Sequence, residues 1–201
     1  MKLTWLGHAC FAVEQEGYRI VLDPFTEVPG HPDTDTQAHQ VLCSHGHFDH
    51  CAEAGVELLE QRENPFTVRT VDTCHDDADG ALRGPNTIHI LSAGGVTVAH
   101  LGDLGHQLTE AQIAAIGPVD GILIPVGGTY TVDNHGARAV CEALNPKWVV
   151  PMHYRHGERG FPVLLTVEDF AALWGAEQVH RLDGVELDVT EETAGLQILT
   201  F

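Results

Sequence analysis

A chain of 201 residues, 43% of them hydrophobic, has room for one well-buried domain and is short for two. Ten basic against 29 acidic side chains give a formal charge of −19, which repels phosphate backbones and argues against a nucleic-acid partner. No apolar run approaches the roughly 18 residues of a membrane span, and Met1 to His8 lacks the apolar core of a signal peptide, so a cytoplasmic protein with no membrane partner is expected.

Strand-like runs open the chain at 3–6, 10–13, 18–22 and 41–44. A helical pattern follows over 52–61, then strands over 66–71, 87–91 and 96–101. Thr109 is placed to cap a short helix that runs to 116 and stops at Gly117-Pro118. Strand 121–125, helix 134–144, strand 147–151 and helix 167–174 alternate in the second half, and short strands close the chain near 179–182 and 196–199. Strands first and strand–helix units later indicate a single α/β domain over 1–201 with a mixed sheet core. One faint echo runs between Gly17–Asp23 and Gly95–Asp103: each is a glycine turn, an apolar strand and a terminal aspartate.

The five cysteines, Cys10, Cys43, Cys51, Cys74 and Cys141, are odd in number and form no C-x-x-C pair. They read as small buried apolar residues rather than as a disulfide framework or zinc finger, although Cys51 and Cys74 adjoin candidate ligands.

The 14 histidines are more informative. His45, His47, Asp49 and His50 place four ligand-type side chains within six residues, directly after an apolar strand. Residues two apart in an extended segment point the same way, so His45 and His47 can grip one ion, and a turn at Gly46 and beyond lets Asp49 and His50 face a second position. Imidazole and carboxylate suit zinc, with manganese or iron as alternatives. His75, Asp103 and His153 follow other strands closely, and the ends of several strands converge at one sheet edge, a usual place for α/β active sites.

This pattern resembles the metallo-β-lactamase superfamily, marked by H-x-H-x-D-H followed by His, Asp and His in later loops. Gly7-His8-Ala9-Cys10-Phe11, Leu82-Arg83-Gly84-Pro85-Asn86-Thr87, Ile124-Pro125-Val126-Gly127-Gly128 and Pro151-Met152-His153-Tyr154 look like a branch of uncharacterised metal-dependent hydrolases near the L-ascorbate-6-phosphate lactonases. The resemblance implies an αββα sandwich of two mixed sheets flanked by helices. It assigns His45, His47 and His75 to a first metal and Asp49, His50 and His153 to a second, with Asp103 bridging. Asp23 would orient the metal loop.

A hydrolase of a small ester, lactone or phosphoester is then expected, in which two divalent ions, zinc first, hold a hydroxide at neutral pH. Asp49 and Asp103 are the candidate catalytic carboxylates, Asp49 as a proton shuttle. Arg83, Arg155, His156 and Arg159 could hold an anionic group of a small-molecule substrate. His8, His106, Tyr130 and Asp133 are expected in or near the cleft. His31, His39, His89 and His180 read as ordinary structural histidines. The 30s and 155–165 read as loops at an interface or over the cleft, and the oligomeric state is left open. A di-iron oxidoreductase and a non-catalytic metal-binding module are the alternatives.

Overall fold

A computed structural model describes all 201 residues. The first half holds β1 (Lys2–Gly7), β2 (Cys10–Gln15), β3 (Tyr18–Leu22), β4 (Thr36–Ala38), β5 (Gln40–Leu42), β6 (Val56–Leu58), β7 (Thr67–Cys74), β8 (Pro85–Ala93) and β9 (Val96–His100). The second holds α1 (Glu110–Ile116), β10 (Gly121–Pro125), α2 (Asn134–Leu144), β11 (Trp148–Met152), α3 (Val167–Ala171), β12 (Val179–Arg181), β13 (Glu186–Asp188) and β14 (Gly195–Ile198).

Five strands form one sheet in the order β13-β1-β2-β3-β5, and seven form another in the order β12-β14-β11-β10-β9-β8-β7. Both sheets are mixed. They form an α/β sandwich, because strands of period-two pattern bury one side against each other. Phe11 and Val13 of β2 and Ile20 and Leu22 of β3 share one core with Ile88, Ile90, Val98, Ile122, Ile124 and Val150 of the larger sheet. The alternate residues Cys10, Ala12 and Val21 join a second cluster on the other side, with Phe25, Val28, Ala38 and Val56.

The caps explain why two helices start and stop where the sequence expects. Thr109 accepts from the Gln112 amide while the Gln112 side chain returns to the Thr109 amide, and Gly117, at φ +68°, ends α1. Asp133 caps α2 by accepting from the Gly136 amide at 2.7 Å, and Asn145 ends it in the left-handed region at φ +47°. Helix α3 is shorter than the expected 167–174, because Leu173 and Trp174 donate to Phe170 and Ala171 in tight three-residue turns.

The helix expected over 52–61 does not form. Residues Glu53–Gly55 make one 3-10 turn, and the chain continues as β6, paired in parallel with β4. The Thr34 carbonyl lies against Gly55 and leaves no space for a side chain, while Val56 joins the cluster of Phe25, Val28 and Ala38. Tertiary packing here outweighs local helix preference, a difference of only tenths of a kcal/mol per residue. Strands β4, β6 and β13, each three residues long, also escaped the sequence reading.

The cysteine expectation needs a second correction. Cys43 and Cys51 form a disulfide across the 44–50 loop, with Cα atoms 5.4 Å apart, while Cys10, Cys74 and Cys141 are free. The two sit eight positions apart on either side of a turn, a spacing that matches no linear motif. Changing both to serine should lower stability by roughly 2.5 kcal/mol, the closure entropy of so short a ring. Denaturant midpoints measured beside a thiol count will decide it: five free thiols in the unreduced, unfolded protein would exclude the bond.

Candidate metal centre

Six strands deliver the site from the same end of each sheet. Beyond β1, β3 and β5 lie His8, Asp23 and the 44–50 loop, and beyond β7, β9 and β11 lie His75, Asp103 and His153. The exits are sharp. His8, Asp23 and His153 adopt φ of +51°, +47° and +53°, and Gly102 adopts +55°. Left-handed backbone at non-glycine residues costs on the order of 1–3 kcal/mol each and persists where the surroundings enforce it. Gly102 has its own reason, since Ser44 and Asn86 leave no room for a β-carbon there.

Asp103 Oδ2 is the centre of the cluster. It lies 3.1 Å from His50 Nε2, 3.1 Å from His75 Nε2 and 3.3 Å from His153 Nε2. Around it, the ligand atoms of His45, His47 and His75 lie within 4.8 Å of one another, and so do those of His8, Asp49, His50 and His153. The structure thus brings together all seven residues that the sequence nominated as ligands, and adds His8.

The outer nitrogens of three of the rings are tied down, while His153 Nδ1 is buried with no partner. His50 Nδ1 pairs with Asp23 Oδ2 at 2.9 Å, His75 Nδ1 with the Tyr130 carbonyl at 3.1 Å, and His45 Nδ1 with Ser44 Oγ at 2.9 Å. Asp23 also accepts from the Ser44 amide and hydroxyl, each at 2.6 Å. Asn86 Oδ1 accepts from the Asp103 amide at 2.8 Å, and its side-chain nitrogen donates to Thr73 Oγ1 and the Leu101 carbonyl. Such bonds to the far ring nitrogen fix the tautomer and aim the near one inward. Inward, His45 Nε2, His50 Nε2 and Asp103 Oδ1 are buried with no hydrogen-bond partner. Buried polar atoms are rarely left so. Imidazole nitrogens and carboxylate oxygens converging on one point are the donor set that divalent ions of the zinc class take.

Burial would lower the His50 ring, but in the metal-free cluster Asp103 and Asp23 outweigh it and raise the ring well above its ordinary value, so an ion bound at His50 Nε2 would displace a proton. Burial alone would raise the Asp103 carboxyl, but His153 and His50 hold it well below the usual range. Asp49 is likewise lowered, with His8 and His50 outweighing burial. Burial pushes the His45 ring down to about 3. The carboxylates stay charged and His45 stays neutral at pH 7, the protonation states that ligands need.

A cavity of about 390 Å³ opens over the centre, lined by His47, Phe48, Asp49, His75, Arg83, Asp103, Tyr130 and Phe161. Arg83 is held at its rim: its Nη2 donates to the Thr129 carbonyl at 3.2 Å, and its guanidinium carbon lies 5.9 Å from the centre of the Tyr130 ring. The loop that carries Arg83 is wound around Asp76, whose carboxylate accepts from the amides of Ala78, Gly80, Leu82 and Arg83 at 2.7–3.0 Å. The loops of the 30s and 155–165 meet through the Gly160 amide and the Pro29 carbonyl, and Phe161 extends from the second into the cavity wall.

Other nominated residues do different work. Asp133 is the cap of α2, His106 Nε2 accepts from the Cys74 amide, and Arg155 Nε donates to the Leu164 carbonyl. None of these three lines the cavity, and neither do His156 and Arg159, the latter lying over the Phe201 ring at 5.1 Å. Phe48, Phe161, Asp76 and Asn86 were missed. Asn86 sits in the Gly84-Pro85-Asn86-Thr87 run, and Asp76 stands four residues before Gly80, so both left a trace. Phe161 left none.

Fold and site together define a metallo-β-lactamase-type domain. Residues 2–153 match the β-lactamase superfamily domain, and the chain belongs to that superfamily. It is 34% identical over 193 residues to a UPF0173 metal-dependent hydrolase of Carboxydothermus hydrogenoformans, an alignment covering 77% of this chain and 84% of that protein. A UPF0173 metal-dependent hydrolase of Thermococcus kodakarensis aligns over 94% of this chain and all of its own length at 29% identity. Among solved structures, a protein of Thermotoga maritima described as a Zn-dependent hydrolase of the metallo-β-lactamase superfamily superposes with a TM-score of 0.77 and 35% identity, covering 98% of this chain and 97% of that one. Igni18, a metallo hydrolase of Ignicoccus hospitalis, shares the fold at a TM-score of 0.62 and 23% identity, over 86% of this chain and 91% of its own.

Proposed function

We propose that this chain is a metal-dependent hydrolase that cleaves a small anionic ester, lactone or phosphoester at a two-metal centre. The observation that carries this reading is Asp103 Oδ2, set 3.1 Å from His75 of one group of ligand-type side chains and 3.1–3.3 Å from His50 and His153 of the other, at the floor of one cavity. The names of the relatives support it. His45, His47 and His75 would hold one ion, Asp49, His50 and His153 the other, and Asp103 both. Zinc is the first choice for this donor set, with manganese or iron next. Such a pair supplies a lowered water pKa and a Lewis acid for the substrate oxygen.

The protein's own groups do the rest. Asp49 is ionised and opens into the cavity, so it can accept a proton from the attacking water and pass it to the leaving group. Arg83 is the one permanent cation in the lining and suits a carboxylate or phosphate. Phe48, Tyr130 and Phe161 offer aromatic surface to the rest of a small molecule. A cavity of this size fits a small-molecule substrate, and the overall charge opposes a nucleic acid.

The test is metal analysis of the purified chain followed by a screen of lactones, phosphodiesters, thioesters and β-lactams, each as an anionic and a neutral member, with His47→Ala as control. Hydrolysis at least 100-fold above the control in one class, favouring the anionic member, is expected. Activity equal to the control throughout would overturn the reading, and two irons with a visible absorption band would move it to the di-iron oxidoreductase class.

A further inference from the structure

We propose that His8 is itself a metal ligand, completing the second position beside Asp49, His50 and His153. The inference rests on the two-metal reading above and deepens it.

Three observations support it. First, the ring is buried, with 1% of the residue accessible; Nδ1 has no hydrogen-bond partner, and Nε2 meets only the Asp49 carboxylate, at a long 3.5 Å. A structural histidine normally satisfies at least one nitrogen, as His100 does on the Ala9 carbonyl at 2.8 Å and His89 on the Cys43 carbonyl at 3.0 Å. Second, the ring faces the cluster. His8 Nε2 lies 3.5 Å from Asp49 Oδ2, and its ring centre lies 4.1 Å from that of His153 and 5.2 Å from that of His50. The four ligand atoms lie within 4.8 Å of one another, a few tenths of an ångström wider than the sphere around one ion with bonds of about 2.0–2.2 Å.

Third, the backbone is built to put the ring there. The β1–β2 ladder shifts register between Trp5 and Gly7, and His8 then takes a left-handed φ of +51°. Its carbonyl is gripped twice, by the Trp5 indole N–H at 3.0 Å and by the His153 amide at 3.1 Å. His153, beyond β11 of the facing sheet, thus holds the segment that carries His8. Phe25 and Phe161 stand edge-on to the ring at 6.2 and 5.7 Å between centres, and provide no polar partner in place of an ion.

The experiment compares the parent chain with His8→Asn and His8→Ala. Asparagine tolerates the left-handed backbone that alanine resists, so it separates loss of a ligand from misfolding. Each protein is stripped, shown folded by circular dichroism, titrated with Zn2+ by calorimetry and loaded with Co2+ for its visible spectrum. The parent is expected to take two ions. His8→Asn should keep the tighter one unchanged, bind the other at least 30-fold more weakly, and show an altered Co2+ spectrum at that site. Added imidazole should restore both through the space left in His8→Ala. Two Zn2+ bound to His8→Asn with parental affinities and an unchanged Co2+ spectrum would overturn the proposal and leave the two-metal reading standing. A parent that binds only one ion would overturn both.

Discussion

Asp103→Asn is expected to reduce kcat/KM by on the order of 10³, or roughly 4 kcal/mol of transition-state stabilisation, while leaving the fold intact. The substitution keeps the shape of the side chain, and the backbone amide of residue 103 keeps its bond to Asn86 Oδ1. What disappears is the negative charge that lies 3.1–3.3 Å from His50, His75 and His153. A neutral amide in that position offers its NH2 or carbonyl to a cluster assembled around an anion, and cannot serve two cations at once. Metal per chain should fall from two to one or fewer. Atomic absorption on the dialysed protein, beside steady-state kinetics on the best substrate of the screen, checks both parts. Two retained ions with activity within tenfold of the parent would remove Asp103 from the centre.

Asp23 has the larger effect on stability. Its carboxylate is fully buried and accepts from the Ser44 amide and the Ser44 hydroxyl and pairs with His50 Nδ1. Asp23→Ala removes the charge and leaves those donors stranded, a change that costs about 3–5 kcal/mol in buried pairs. It should also weaken metal binding by roughly 10- to 100-fold, since His50 and the Ser44–His45 backbone lose their aim. Asp23→Asn, which suits the left-handed φ of +47° and keeps one acceptor, should fall between the two. Chemical unfolding with and without a chelator separates the two contributions.

The same carboxylate sets a pH dependence in the metal-free protein. Burial raises its pKa, but His100, His50 and Ser44 outweigh burial and hold it at about 2. The unfolded value is about 3.9. The folded pKa is the lower one, so this contribution is whole above pH ~4 and is lost as pH falls through about 2.

The residues that gather at the candidate centre were legible in the sequence because metal-binding chemistry favours a few residue types at short spacings after strands. His45, His47, Asp49 and His50 form a run that chance seldom produces, and His75, Asp103 and His153 each follow an apolar strand closely. Helix α2 was legible to the residue because Asp133 and Asn145 mark its ends locally. The 52–61 segment was not, because its conformation is decided by β4, whose residues pair with ones 20 positions on, and by the Thr34 backbone against Gly55, 21 positions on. The Cys43–Cys51 bond and the position of Phe161 were hidden for the same reason: each depends on where a turn brings the chain in space. His8 was read as a cleft residue, since one histidine after a strand carries no sign of how deeply it will be buried.

The echo between Gly17–Asp23 and Gly95–Asp103 acquires a mechanical meaning from His50. Its ring spans the two aspartates, Nδ1 on Asp23 beyond β3 of the smaller sheet and Nε2 toward Asp103 beyond β9 of the larger. Each ligand group likewise draws members from both sheets, so neither sheet alone owns a complete site. An ion bound there would be a rivet through the sandwich, and its affinity for the folded chain would be transferred to the melting temperature. At a free concentration a hundredfold above the dissociation constant, such an ion would add about 2.7 kcal/mol against unfolding.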